Sequence, residues 1–169
     1  MKKRILFLLT ALTLSMASFA QFEQGKTYIN GNISGLNAKF NGSDKWKIDL
    51  GFRGGYMVED SWMLMGELDY NYRKYEPKTF ALGAGVRYYI AENGLYLGAG
   101  AKFANHSFDG ESTSDFLPNI QIGYVFFLNK SVALEPEFYY EQSLKDHSNY
   151  SNVGFRVGIG VFLDDLLKF

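Results

Sequence analysis

The chain has 169 residues, a length suited to one domain, and it carries 17 Lys and Arg against 18 Asp and Glu. Near-neutral charge gives no global nucleic-acid signature. The absence of cysteine excludes a disulfide scaffold and a thiolate metal site. Aromatic residues (12 Tyr, 15 Phe, 2 Trp) and glycine (18) are abundant, whereas proline is scarce (3).

In chain order, the first element is an export signal. Lys2, Lys3 and Arg4 form a basic start, residues 5–14 are apolar, and Ser18 and Ala20 place small residues at the −3 and −1 positions of a cleavage site. The apolar run is too short for a comfortable membrane-spanning helix. Residues 1–20 are therefore read as a cleaved signal and residues 21–169 as the mature domain. Removing three of the 17 basic residues leaves 14 against 18 acids, about −4.

The mature chain alternates apolar and polar residues with period two, the signature of strands with one oily face. Residues 27–38 form the weakest case, with Ile29, Gly31 and Ile33 opposite Asn30, Asn32 and Ser34. Residues 46–56 set Ile48, Leu50, Phe52 and Tyr56 against Lys47, Asp49 and Arg53. Residues 62–73 set Trp62, Leu64, Leu68, Tyr70 and Tyr72 against Glu67, Asp69, Asn71 and Arg73. Residues 79–90 set Phe80, Leu82, Val86 and Tyr88 against Gly83, Gly85 and Arg87. An Asn93-Gly94 hairpin signal leads to residues 95–103, where Leu95, Leu97 and Phe103 oppose Tyr96, Gly98, Gly100 and Lys102.

A polar loop is expected over 105–115. Residues 118–128 then set Ile120, Ile122, Tyr124 and Phe126 against Asn119, Gln121 and Gly123. Residues 132–141 set Val132, Leu134, Phe138 and Tyr140 against Glu135, Glu137 and Glu141. Residues 152–163 are the clearest strand: every odd position is apolar, and the even positions before Phe162 are Asn152, Gly154, Arg156, Gly158 and Gly160. That makes eight strands. Several have the roughly 9–11 residues that a tilted strand needs to cross a bilayer. Tight connections near 58–61, 91–94 and 128–131 alternate with longer polar ones at 39–45, 74–78, 105–115 and 142–151, as short periplasmic turns and longer outer loops would.

The pattern predicts an all-β, eight-stranded antiparallel up-and-down transmembrane β-barrel with a side-chain-filled polar lumen. The inward set, assigned by apolar periodicity alone, holds Lys47, Arg53, Arg73, Arg87, Lys102 and Arg156 with Asp49, Glu67, Asp69, Glu135, Glu137 and Glu141. The signs cancel, as a water-poor lumen of paired charges requires. Inward glycines leave room for these long side chains. Gly83-x-Gly85 and Gly98-x-Gly100 lack the spacing and the following helix of a phosphate loop.

The residues at 156–163 carry one more specific feature. Arg156, Gly158, Val161 and Leu163 fit a polar-x-Gly-x-x-hydrophobic-x-hydrophobic pattern. With the eight-strand pattern it makes the chain resemble the small outer-membrane barrels of the OmpA/OmpX type. That resemblance covers residues 22–163 as pattern. It implies a final strand read by the barrel-assembly machinery and closed against the first strand. One departure is the tail, where Asp164 to Lys168 separate the strand from Phe169.

Catalysis is not visible in the chain. A lipid A deacylase would resemble a His-x-Ser pair, but both histidines precede serine directly (His106-Ser107, His147-Ser148), and adjacent strand residues face opposite ways. Both pairs are read as solvated loop residues. Glu135 and Glu137 are read as structural ion-pair partners. Asp109, Glu111 and Asp115 are read as loop acids without metal-ligand spacing. No cofactor is expected.

The expected function is that of an integral protein of a Gram-negative outer membrane with a structural or surface-interaction role: envelope integrity, adhesion, or binding through its loops. A narrow pore for ions or small solutes is the alternative, and a lipid A-modifying enzyme a further one. Expected partners are outer-membrane lipid and lipopolysaccharide, the assembly machinery, and a surface ligand met by the loops. Nucleic acid is not expected, and the chain is read as a monomer.

Overall fold

The computed structural model describes residues 22–36, 49–71, 78–108, 111–145, 147 and 151–164. Their strands are β1 (Thr27–Leu36), β2 (Asp49–Glu59), β3 (Trp62–Asn71), β4 (Lys78–Tyr89), β5 (Leu95–Phe108), β6 (Glu111–Tyr124), β7 (Phe126–Phe127), β8 (Val132–Glu141) and β9 (Asn152–Leu163). All pair antiparallel. Neighbours run in sequence from β1 to β6, β8 joins β6 and β7 on one side and β9 on the other, and β9 returns to β1. β6 and β7 are two parts of one stave, so the sheet closes as an eight-stranded barrel, which removes every free edge along the ring.

The faces follow the alternation. Leu50, Phe52, Leu82, Phe103, Ile120, Phe138 and Ile159 are exposed, Phe103 at 66 % of its surface, while Arg87 is at 0 %. Apolar outside and charged inside is the inverse of a water-soluble domain and suits a wall solvated by lipid. Aromatic pairs mark both rims. Trp62–Tyr88 (4.8 Å between centroids) and Tyr124–Phe126 (4.4 Å) lie at the tight-turn end, with Phe103–Phe116 (5.1 Å) and Phe138–Phe155 (4.9 Å) toward the opposite end.

Several expectations need correction. The polar loop at 105–115 is mostly strand: β5 runs to Phe108 and β6 starts at Glu111. The polar residues there (Asn105, Ser107, Ser112, Ser114) still alternate, but lie beyond the apolar belt, where an outward face is wet. The tight connection at 91–94 is present, but it is built on more than the Asn93-Gly94 pair. A 3₁₀ turn (Ile90–Glu92) with Ala91 at φ 48° precedes Gly94 at φ 94°, and Asn93 Oδ1 accepts from the Leu95 amide at 2.9 Å.

The stave of β6 and β7 breaks at Val125, whose amide donates to the Gly94 carbonyl (2.8 Å) rather than to β8. The register passes from Gly123↔Glu137 to Phe126↔Leu134, and Pro136, which has no N–H to give, stands opposite the break.

The largest departure concerns the interior, which is not polar throughout. At the tight-turn end Phe22, Met57, Met63, Met65, Tyr89, Val125, Ala133 and Phe162 form a buried apolar cluster. Residues 22–26, ahead of β1, fold back into it. The Phe22 ring stacks on Tyr89 with centroids 4.1 Å apart and meets Phe162 edge-on at 5.9 Å. Ser61 donates its amide to the Phe22 carbonyl, and Gly25 and Met57 hold the segment against β2.

Candidate functional site

Above the apolar cluster the interior fills with charge, organised around Glu137. Its place on β8 between inward Glu135 and Tyr139 follows from period two. Arg53 on β2 reaches it with both terminal nitrogens, Nη1 to Oε2 at 2.9 Å and Nη2 to Oε1 at 3.0 Å. Arg87 on β4 donates to Oε2 at 3.3 Å, and Tyr96 on β5 donates its hydroxyl to the same oxygen at 2.8 Å. Arg156 on β9 donates its Nε to Oε1. One carboxylate therefore takes donors from four other strands. It is 1 % exposed, and the three arginines are 5 % or less.

The shell around this hub is also hydrogen-bonded. Glu135 Oε2 accepts from the Tyr28 hydroxyl at 2.6 Å and from Arg87 Nη1 at 3.0 Å. Gln121 Oε1 accepts from Arg156 at 2.9 Å and from Arg53 at 3.4 Å. The Arg87 guanidinium lies over the Tyr96 ring, 3.9 Å from its centroid, and Arg156 over Tyr139 at 4.5 Å. Glu67 stands 3.6 Å from Arg53 Nε. Three arginines thus meet Glu67, Glu135 and Glu137, a layer without net charge.

The next layer toward the open end is centred on a cation. Lys102 Nζ lies 2.6 Å from Asp69, 2.7 Å from Glu141 and 3.0 Å from Glu67. Higher still, Ser143 Oγ donates to Asp115 Oδ2 at 2.5 Å, beside a small apolar cluster of Ala81, Ala104 and Leu117.

Glycines give the long side chains their room. A Cβ on Gly83 would stand 2.7 Å from Lys102 Cγ, and one on Gly98 would overlap Gln121. One on Gly158 would meet Asn30 at 2.5 Å, and one on Gly160 would overlap Glu135. At each of these positions an added side chain would require the facing Lys102, Gln121, Asn30 or Glu135 to shift.

Of the twelve charged residues assigned inward from sequence, Arg53, Glu67, Arg87, Lys102, Glu135, Glu137, Arg156, Asp69 and Glu141 are brought together in this network. Lys47 and Arg73 lie outside the described residues. Asp49 is placed by its backbone pairing with Ser34. In the final strand, Arg156 joins the hub, Gly158 lies under Asn30, and Val161 and Leu163 pair with Ile29 and Thr27 on β1.

Four residues read as loop groups, His106, Ser107, Glu111 and Asp115, lie in strands instead, with Glu111 opening β6. His106 and Ser107 are in β5, where His106 Nδ1 pairs with Thr79 Oγ1 at 2.8 Å and Ser107 is exposed. Asp115 is a buried interior residue of β6. His147 lies beside Ser151 Oγ at 2.7 Å, whereas Ser148 and Asp109 lie outside the described residues. Among the described residues no three His, Asp or Glu side chains form a metal-binding group, and no helix is long and apolar enough to cross a membrane.

A closed antiparallel barrel with an apolar exterior and an ion-paired interior fits one class of protein, and the family comparison agrees. Residues 6–90, half of the chain, match the model of the outer membrane protein beta-barrel domain. The chain belongs to that family. Its place is accordingly the outer membrane of a Gram-negative cell.

Solved outer-membrane barrels share the fold. Neisserial surface protein A superposes with a TM-score of 0.63 at 16 % identity, over 82 % of this chain and 99 % of its own. The N-terminal barrel domain of Pseudomonas aeruginosa OprF gives 0.64 at 15 %, over 83 % and 98 %. Yersinia pestis Ail, in complex with the heparin analogue sucrose octasulfate, gives 0.54 at 20 %, over 83 % and 99 %. At such identities the likeness is one of fold. No curated protein matches the sequence.

Proposed function

We propose that this outer-membrane barrel is a sealed structural element of the envelope that meets its surroundings through its outer loops, and that its interior charges brace the wall rather than conduct or catalyse. The observation that carries the reading is Glu137, which takes donors from Arg53, Arg87, Arg156 and Tyr96 and so fills the cross-section with side chains tied to one another. An eight-stranded barrel is just wide enough for side chains to fill it. Below this layer, Phe22 and its aromatic neighbours add an apolar stopper.

Four further assignments belong to this reading. Residues 1–20 are a cleaved export signal, leaving 21–169 as the barrel domain. Arg156, Gly158, Val161 and Leu163 form the signal read by the assembly machinery, with Arg156 also serving the hub. Outer-membrane lipid and lipopolysaccharide surround the wall, and a surface ligand is met by the loops. The protein acts as a monomer without cofactor or enzymatic activity.

Planar-bilayer recording tests the reading. Folded protein at single-molecule dilution gives no steady channel. A steady conductance that changes when Lys102 or Glu137 is neutralised would replace the brace with a narrow pore.

A further inference from the structure

The segment ahead of β1 makes contacts that cross the barrel's closing seam. β1 and β9 are the first and last strands, and they meet from Thr27↔Leu163 to Leu36↔Phe155. On the β2–β4 side, Gln24 is held by Asp60 (amide to Oδ1, 2.9 Å) and by the Val58 carbonyl (2.8 Å), and Phe22 by Tyr89. On the other side, Phe22 packs against Phe162 of β9 and Phe127 of β7 (5.7 Å), and Lys26 pairs with Asp164 just beyond β9. Tyr28, directly opposite Phe162 across the seam, adds a ring contact at 5.0 Å.

We propose that residues 22–26 are a closure latch: they seat only after β9 has zipped onto β1, and once seated they oppose reopening of that seam. In an open sheet, β1 and β9 are free edges, and the Phe22 ring has only the β2–β4 half of its pocket. The walls from Phe127 and Phe162 and the partner of Lys26 arrive with closure. With both halves present the Phe22 ring is 0 % exposed. The latch is therefore absent from the transition state for closing and present in the finished barrel.

That order has a kinetic signature. Interactions formed after the transition state slow unfolding without speeding folding. Folding into lipid vesicles and unfolding in urea are compared for the wild type, Phe22→Ala and Phe22→Leu, the last covering the case in which Phe22→Ala does not fold. Each protein is also prepared with Ile29→Cys and Val161→Cys, a register pair on β1 and β9 in a chain that has no other cysteine. The oxidised pair fastens the seam covalently.

Phe22→Ala is expected to raise the unfolding rate by roughly tenfold or more, with the folding rate changed by less than about twofold. Phe22→Leu shifts the same way by less. With the seam cross-linked, the increase in unfolding rate disappears. A folding rate that falls as much as unfolding rises, two unchanged rates, or the same increase in the cross-linked barrel would each overturn the latch.

Discussion

Two levels of the barrel interior are filled with different materials. At the tight-turn end the filling is apolar: Phe22, Met57, Met63, Val125 and Phe162 pack as in the core of a soluble domain. In the middle it is ionic, with three arginines against Glu67, Glu135 and Glu137. Both fillings are buried, but they tolerate damage differently. An apolar packing loses contacts in proportion to the atoms removed. An ion-paired layer loses more, because each buried charge left behind is short of the partner that compensated it.

The largest effect therefore belongs to the hub. Glu137→Ala leaves Arg53, Arg87 and Arg156 without their shared acceptor and should cost about 3–5 kcal/mol, measured by urea unfolding in lipid vesicles. Met63→Ala in the apolar end should cost about 3 kcal/mol by the same assay. A loss from Met63→Ala larger than from Glu137→Ala would break the contrast between the two regions.

Smaller changes sharpen it. Tyr28→Phe removes the hydroxyl donated to Glu135 and leaves the ring in place, so the expected loss is about 1 kcal/mol. Leu64 is one residue from Met63 but faces lipid, and Leu64→Ala should cost less than about 1 kcal/mol. Asp164 is 93 % exposed where it pairs with Lys26. By itself, Asp164→Asn should change equilibrium stability too little to resolve, and any change should vanish in high salt.

The ionic region was far more legible in the sequence than the apolar one. Arg87, Glu137 and Arg156 interrupt apolar alternation, and a charge between lipid-facing residues has one place to go. Met63 and Met65 carry no such mark, because β3 reads Trp62-Met63-Leu64-Met65 and is apolar on both faces. Period two gave the parity but not the chemistry of that end. Phe22 precedes the first strand and belongs to no period, so only the closed fold reveals its pocket.

The β5–β6 hairpin was hidden for the opposite reason. Beyond the belt its outward residues are Asn105, Ser107, Ser112 and Ser114, and the contrast between faces that marks a lipid-facing strand is lost. Asp115 looked like a loop acid for the same reason, although Ser143 and the barrel wall bury it. Sequence patterning reports a strand where two different solvents flank it, and it falls silent where both faces meet similar surroundings.

If the interior charges act together as a brace, two of them at the hub must be energetically coupled. Arg53→Met, Glu137→Gln and the double variant are unfolded in urea from the same lipid, and the coupling energy is taken from the cycle. A brace predicts single losses that do not add, with a coupling of about 2 kcal/mol or more for a pair this close and this buried. Additive losses, with coupling near zero, would contradict it.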